Sequence, residues 1–138
     1  FGIKNFESRI MMRPNPPIKT VLMDQTLIAG IGNIYSDEIL WRAGIHPSSK
    51  PQVIPKTNLT LAFKAMKEVL KKGIDFGGDS MSDYKNIDGK SGEFQEHHQA
   101  YRRTGERCLK RGCSGVMQRL IVGTRSAHFC PMHQKLFK

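Results

Sequence analysis

Acidic residues, cysteines and long apolar runs are all scarce in this 138-residue chain. Its apolar runs stop well short of the roughly 18 residues that suggest a membrane span, and no charged-then-apolar leader precedes the first predicted helix. Its three cysteines cannot all pair as internal disulfides, because their number is odd. We therefore expect a reduced, soluble, cytoplasmic protein with no membrane partner.

The scarcity of acidic residues leaves a large positive charge. Twelve Asp and Glu stand against 22 Lys and Arg, which gives a formal net charge of +10 at pH 7. Nine of the basic residues fall in residues 95–138, where the acidic residues are Glu96 and Glu106. The expected partner is a polyanion, because neutralised phosphates release counterions and supply affinity without a sequence signal. A solubilising basic surface is the alternative.

The spacing of apolar residues predicts two helices joined by a short turn. The first begins after an N-cap at Asn15, closes at Gly30 and carries a stripe formed by Ile18, Val21, Leu22, Gln25 and Ile28. The second covers residues 34–43, capped by Asn33 and closed by Gly44. A turn of about four residues would make this a helix-turn-helix-like unit.

Charged residues on the helices lead to two further predictions. Glu38 falls on the apolar stripe of the second helix, and a buried carboxylate needs a basic group or backbone donors beside it. A third helix is predicted from a cap at Thr57 or Asn58 to Lys72. Beside its apolar stripe runs a lysine stripe that faces either solvent or phosphate, formed by Lys64, Lys67 and Lys71.

The remainder of the chain is predicted to be a long loop followed by a hairpin. Residues 74–93 are rich in Gly, Asp and Ser and lack a clean periodicity, which indicates a loop. Strands are predicted over residues 116–122 and 125–129, so that Arg125 lies at the hairpin tip. The expected fold is mainly α with a small β finger, divided into a helical domain over residues 1–94 and the finger over residues 95–138.

Two close pairs of metal-binding residue types flank the hairpin, Cys108-x4-Cys113 and Cys130-x2-His133. Four ligands at this spacing predict one tetrahedral zinc ion. Because all four positions are filled by the protein, the site is predicted to be structural and not catalytic. Three further histidines are spare candidates, the first two as an adjacent pair predicted to be solvated: His97, His98 and His128.

Four segments in order carry a resemblance to a known family. They are residues 29–38 (AGIGNIYSDE), 43–47 (AGIHP), 101–106 (YRRTGE) and 122–131 (VGTRSAHFCP). Together they resemble bacterial formamidopyrimidine-DNA glycosylase, of the Fpg/Nei family. The resemblance covers the carboxy-terminal half of that family, which consists of a helix-two-turn-helix region and a terminal zinc finger.

This resemblance implies part of a base-excision-repair enzyme. The family consists of DNA glycosylases and abasic-site lyases that remove oxidised purines, 8-oxoguanine and formamidopyrimidines, from damaged duplex DNA. Chemistry on a base requires that the base be extruded from the stack. The implied partner is duplex DNA with an oxidised purine or an abasic site, and the implied setting is the bacterial cytoplasm, on the nucleoid. A monomer is expected.

The resemblance also assigns roles to residues. Asn33 would touch phosphate beside the lesion, with Gly32 at the same helix start, where unpaired N–H groups are available; a plain helix cap is the alternative for Asn33. Arg125 would grip the phosphates that flank the flipped nucleotide and assist the elimination step, as the catalytic contribution of this chain. Tyr101 would support the loop that closes over the base, unless it is a core tyrosine. Lys64 completes the predicted DNA-binding set.

The sequence departs from the family in two respects. The first cysteine pair is separated by four residues and not two, and His133 replaces the last cysteine. The family's nucleophile is an amino-terminal proline amine in a β-sandwich domain, whereas this chain begins at Phe1. The chain is therefore interpreted as a fragment that lacks the catalytic domain and binds DNA without excising bases. The alternative is a non-catalytic zinc-containing nucleic-acid-binding module, ribosomal or transcription-associated.

Overall fold

The computed structural model describes residues 1–75 and 98–138 as helices followed by a two-stranded antiparallel sheet. The elements are α1 (Ile3–Met11), α2 (Ile18–Leu22), α3 (Asn33–Ala43), a short 3-10 helix (Pro51–Val53), α4 (Lys56–Asp75), β1 (Gln118–Val122) and β2 (Arg125–Phe129). The predicted class, mainly α with a small β hairpin, is confirmed. Within the described ranges, every helix is too short or too polar to cross a membrane.

Helix α1 was missed by the sequence interpretation. Ile3, Phe6 and Ile10 recur at helical spacing, and both Phe6 and Ile10 are completely buried. At its start the Gly2 N–H donates to Asn5 Oδ1 at 2.9 Å, which supplies a partner for one N-terminal amide. Helix α1 packs on α4, so it completes one side of the helical core.

Helix α2 is much shorter than predicted. It ends at Leu22, and its N-cap is Pro17 and not Asn15. The backbone leaves the helix because Asp24 accepts the Thr26 N–H at 2.9 Å in an Asx turn. The Gln25 side chain was wrongly placed on the apolar stripe: it donates to Ile31 O at 2.9 Å and accepts from the backbone at residue 30 at 3.0 Å. The connection to α3 is therefore a longer, hydrogen-bonded turn over residues 23–32.

Helices α3 and α4 lie close to their predicted positions. Gly44 closes α3 with a left-handed φ of 71°, as expected, but α3 begins at Asn33 and its N-cap is Gly32. Helix α4 begins at Lys56 and runs to Asp75, so the end predicted at residue 72 is wrong. The first two residues of the predicted 74–93 loop are thus helical, and the rest of that loop lies outside the described residues.

The hairpin also agrees with the sequence, although β1 begins at Gln118 and not at residue 116. Its register pairs Val122 with Arg125, so the tip consists of residues 123–125, called the hairpin tip below. The segment 98–138, called the finger below, packs on α3 through a small core of its own: Trp41, Ala100, Cys108, Met117 and Cys130. The proposed division near residue 94 falls outside the described residues and stays a prediction.

Candidate metal centre and nucleic-acid interface

The four predicted metal ligands come together in the finger. Ligand atoms of Cys108, Cys113, Cys130 and His133 all lie within 4.8 Å of one another. Cys108 Sγ is 3.4 Å from His133 Nδ1, and the sulfurs of the other two cysteines are 3.6 Å apart. A tetrahedral centre with bonds of about 2.0 to 2.3 Å separates its ligands by about 3.5 to 3.8 Å. The group therefore fits one metal ion.

The surroundings of the ligands fix their orientation. His133 Nε2 lies 2.9 Å from the Trp41 carbonyl, which can only accept, so Nε2 carries the proton and Nδ1 faces the sulfurs. The Trp41 indole N–H donates to Cys108 Sγ at 3.3 Å. A Cβ at Gly115 would stand 2.5 Å from Cys130 Sγ, so only glycine fits this turn. Trp41 of helix α3 thus contacts two of the four ligands, Cys108 and His133.

The protonation tendencies of the ligands suit a cation. The Gly115 N–H lowers the pKa of the Cys113 thiol, and burial lowers the pKa of His133, which favours a thiolate and a neutral imidazole. Burial raises the pKa of the Cys130 thiol, and a cation beside the sulfur would favour its thiolate form. The chemistry of the donor set therefore agrees with its geometry.

A buried charge cluster joins α2, α3 and β2. Lys19 Nζ and Asp37 Oδ1 are 2.6 Å apart, and each side chain is only 1% exposed. Asp37 Oδ2 accepts from both the backbone N–H of His128, at 3.1 Å, and its ring Nδ1, at 2.7 Å. Lys19 also donates to Ser36 Oγ and to the Asn33 carbonyl, at 2.8 and 3.3 Å. Each charged group in this cluster has a partner, as burial requires.

Glu38 forms a second buried connection between α3 and the finger. Its carboxylate accepts the backbone N–H groups of Gln99, Ala100 and Tyr101, each at 2.8 Å. The sequence predicted a basic group or backbone donors beside this charge, and backbone donors take that role in the structure. Adjacent carboxylates of α3 therefore hold different parts of the finger, since Asp37 holds β2 and Glu38 holds residues 99–101.

Arg125 is exposed at the hairpin tip, as predicted. It lines a cavity of about 410 Å³ between the tip and α2, together with Arg13, Lys19, Thr20, Asp24 and Thr124. Burial lowers the pKa of Lys19; Asp37 opposes this effect, and the charge of Arg125 adds to it. Among the described residues Arg125 pairs with no carboxylate, so its guanidinium can attract an anion, whereas Lys19 below it is already paired with Asp37.

Asn33 and Gly32 lie at the start of α3. Asn33 is the first helical residue and makes no capping bond, so the helix-cap alternative for its side chain is wrong. Within the described ranges, its Oδ1 is one of three buried side-chain polar atoms without a hydrogen-bond partner. Gly32 is exposed, and a Cβ there would meet nothing within 4 Å, so this helix start is open to a ligand.

The other predicted residues occupy different settings. Tyr101 is half-buried, and its ring lies edge-on to His128 and to His98, with centroids 5.0 and 5.5 Å apart. His98 is 4% exposed, which corrects the prediction of a solvated pair, while His97 lies outside the described residues. Lys64 is exposed on α4.

Sequence reasoning missed the Lys19, Asp37 and His128 cluster. Lys19 lies within an apolar run, between Ile18 and residues 21–22, and that burial signal was available. Its partners could not be identified, because Asp37 is 18 residues away and His128 lies another 91 residues along the chain. Such a pairing becomes visible only when the hairpin is docked.

The fold and the ligand group define a class of proteins in which a helix-turn-helix unit carries a docked Cys3His finger. The family pattern described as "Formamidopyrimidine-DNA glycosylase H2TH domain" matches residues 1–85. The chain belongs to the formamidopyrimidine-DNA glycosylase family.

Individual relatives agree with this assignment. A protein of Solibacter usitatus named formamidopyrimidine-DNA glycosylase is 46% identical over 125 residues, covering 91% of this chain and 47% of its own length. A Streptococcus pneumoniae protein of the same name is 37% identical over 135 residues, covering 98% of this chain and 48% of its own length. The chain spans about half the length of the curated relatives it matches.

Solved structures give the same result. A complex between Lactococcus lactis Fpg and DNA containing an abasic site matches with a TM-score of 0.82 and 37% identity, over 95% of this chain and 47% of that one. A structure of MutM with DNA containing carbocyclic 8-oxo-G matches with a TM-score of 0.81 and 37% identity, over 95% of this chain and 46% of that one. The likeness includes both the helices and the finger.

Proposed function

We propose that this chain is the DNA-binding half of a DNA glycosylase and abasic-site lyase that acts on oxidised purines in duplex DNA. The observation that carries the proposal is the buried cluster of Lys19, Asp37 and His128, which holds the open start of α3 and the strand that bears Arg125 in one rigid arrangement. Two relatives with known structures are bound to abasic-site and 8-oxo-G DNA. This function places the protein on chromosomal DNA in the bacterial cytoplasm, as a monomer.

Each predicted contact has a role in this proposal. Arg125 binds phosphate through its planar fork, and in the complete enzyme it assists elimination. Asn33 and the amides that follow Gly32 bind phosphate at the start of α3. Tyr101 supports the loop that closes over the base, and Lys64 adds a positive charge on α4. This chain of 138 residues binds DNA without cleaving it, because none of its residues is proposed to act as the nucleophile.

We infer that the metal is zinc, held by Cys108, Cys113, Cys130 and His133 through Nδ1. Thiolate and imidazole ligands at tetrahedral spacing are the preference of this ion. Its contribution is structural, since it fixes the turns on both sides of the hairpin. The histidine gives the centre one negative charge less than four cysteines would give.

Replacing Arg125 with alanine tests the phosphate role. The variant should bind an abasic-site duplex roughly ten-fold more weakly, and the slope of log K against log salt should fall by about one. Fluorescence anisotropy over a salt series measures both quantities. Arg119→Ala is the matched control, because it removes the same charge from the same hairpin away from the tip. An unchanged slope for Arg125→Ala would contradict the phosphate role.

The preferred nucleic acid separates a repair protein from an RNA-binding module. The chain should bind an abasic or bent duplex more tightly than an intact duplex of the same sequence, because the bound form in the proposal is kinked. A structured RNA of equal charge is the comparison. Equal or tighter binding of the RNA would overturn the repair function.

The activity of the complete enzyme is tested by covalent trapping. Borohydride treatment of the full-length gene product on duplex DNA containing 8-oxoguanine should yield a protein–DNA adduct, because an amine nucleophile passes through a reducible Schiff base. Denaturing electrophoresis measures the adduct, and mobility-shift electrophoresis measures binding. Undamaged duplex is the control for both. Protein that binds the damaged duplex but gives no adduct would exclude lyase chemistry.

A further inference from the structure

Arg102 has an unusual backbone conformation. Its φ is 62°, and it is the one residue other than glycine with a positive φ in the described parts of the chain. The backbone of a residue with a side chain is strained in this left-handed region, whereas glycine adopts it readily. Strain of this kind persists only where the surrounding structure imposes it, and it is concentrated at functional sites.

The surrounding structure does impose this conformation. Glu38 holds the three preceding residues by their N–H groups. On the other side, the Arg103 N–H donates to Ala100 O at 3.2 Å, and the Gly105 N–H donates to Met117 O at 2.9 Å. The turn is therefore fixed at both ends, whatever residue lies between them. Glycine at position 102 would adopt this backbone conformation with less strain than arginine does.

The Arg102 side chain is exposed and available for binding. Its guanidinium lies over the Tyr101 ring, 5.4 Å from the centroid. The next cation, Arg103, is paired with Glu106 at 2.7 Å, so its charge is already compensated. Among the described residues, Arg102 has no carboxylate partner. A hollow of about 130 Å³ beside the guanidinium has room for one phosphate group. Its lining consists of His98, Tyr101, Arg102, Arg103 and Glu106.

The position of Arg102 complements that of Arg125. The Tyr101 ring beneath it contacts the His128 ring, which hydrogen-bonds to Asp37. Arg125 precedes His128 by three residues, or about 10 Å of strand. The two arginines are thus attached to the same docked finger, with Asp37 and Glu38 fixing both to α3.

We propose that Arg102 is a second phosphate-binding arginine, held on the Tyr101 ring at the cost of backbone strain so that it grips the DNA backbone beyond the reach of Arg125. This inference rests on the proposed DNA-binding function and deepens it. It predicts that stability and affinity respond in opposite directions when Arg102 is replaced by glycine. A residue with a purely structural role would not show this opposition.

The test compares Arg102→Gly, Arg102→Lys and Arg125→Ala with the unaltered chain, by thermal unfolding and by anisotropy on an abasic-site duplex over a salt series. Arg102→Gly should melt about 3 °C or more higher, because the strain is relieved. It should bind roughly three- to ten-fold more weakly, with the salt slope reduced by about one. Arg102→Lys keeps the charge and should retain the slope.

The outcomes separate this inference from the function on which it rests. If Arg102→Gly binds with unchanged affinity and slope while Arg125→Ala is weakened, the Arg102 assignment is overturned and the proposed function stands. If the unaltered chain fails to bind the duplex at low salt, both are overturned. A loss of binding in Arg102→Gly accompanied by a lower melting temperature would also count against the proposal, since it would indicate a structural role.

Discussion

Replacing Asp37 with alanine should lower the free energy of unfolding by about 3 to 5 kcal/mol, the largest effect expected from a single substitution outside the metal ligands. The change leaves the Lys19 ammonium almost fully buried without its carboxylate, and it removes the acceptor for both His128 donors. Loss of a buried partner costs the whole desolvation of the remaining charge. Chemical denaturation measured by circular dichroism gives the value directly.

Glu68→Ala is the matched control for this experiment. Its ion pair with Arg42 spans 3.2 Å, but the Glu68 side chain is 62% exposed. Its removal should change stability by about 1 kcal/mol or less. Adding Lys19→Met to Asp37→Ala should recover part of the loss, because the unpaired charge disappears. If Asp37→Ala costs no more than Glu68→Ala, the cluster does not stabilise the docked finger.

Removal of the metal should unfold the turns of the finger while the helical core stays folded. In small zinc domains the metal contributes on the order of 10 kcal/mol to folding, and the finger has only a small apolar core of its own. The large core, in contrast, is built from α1 to α4 and their connections, with Phe137 as its finger contact. Chelation should therefore shift Trp41 emission to the red, since its contacts with Cys108 and His133 are lost, and leave most helical circular dichroism unchanged.

The same result should be obtained by mutation. Cys113→Ala removes one ligand, whereas Ser114→Ala changes an exposed neighbour and serves as the control. The Cys113 variant should carry much less than one zinc per chain by elemental analysis and should be cleaved by proteases within the finger. Unaltered protein that is folded and holds no stoichiometric metal would contradict the zinc assignment.

The sequence predicted the parts of the site that depend on local spacing. Cys108, Cys113, Cys130 and His133 form two close pairs, and their convergence is confirmed. The position of Glu38 on an apolar stripe predicted that its carboxylate would need a partner. Three backbone N–H groups donate to it. In both cases the informative pattern is local in sequence: the members of each ligand pair are separated by four or two residues, and Glu38 lies within the stripe of its own helix.

The errors have a common physical cause, which is competition between local side-chain bonds and helix propensity. Asp24 and Gln25 redirect the backbone after Leu22 by bonding to nearby main-chain groups, although apolar spacing continued beyond that point. Gly73 did not end α4, since helix termini are set by tertiary context as well as by propensity. The Asp37 cluster was missed because its members meet only after the hairpin docks.

The adjacent carboxylates of α3 have a consequence for binding thermodynamics. Because Asp37 and Glu38 fix the two sides of the finger to a single helical turn, Arg125 and Arg102 would need little reorientation of their backbone in the DNA binding that we propose. The conformational entropy of positioning the backbone that carries them has largely been lost during folding, so less of it opposes association. The affinity of this surface should therefore depend more on how easily a given duplex kinks than on any ordering of the protein.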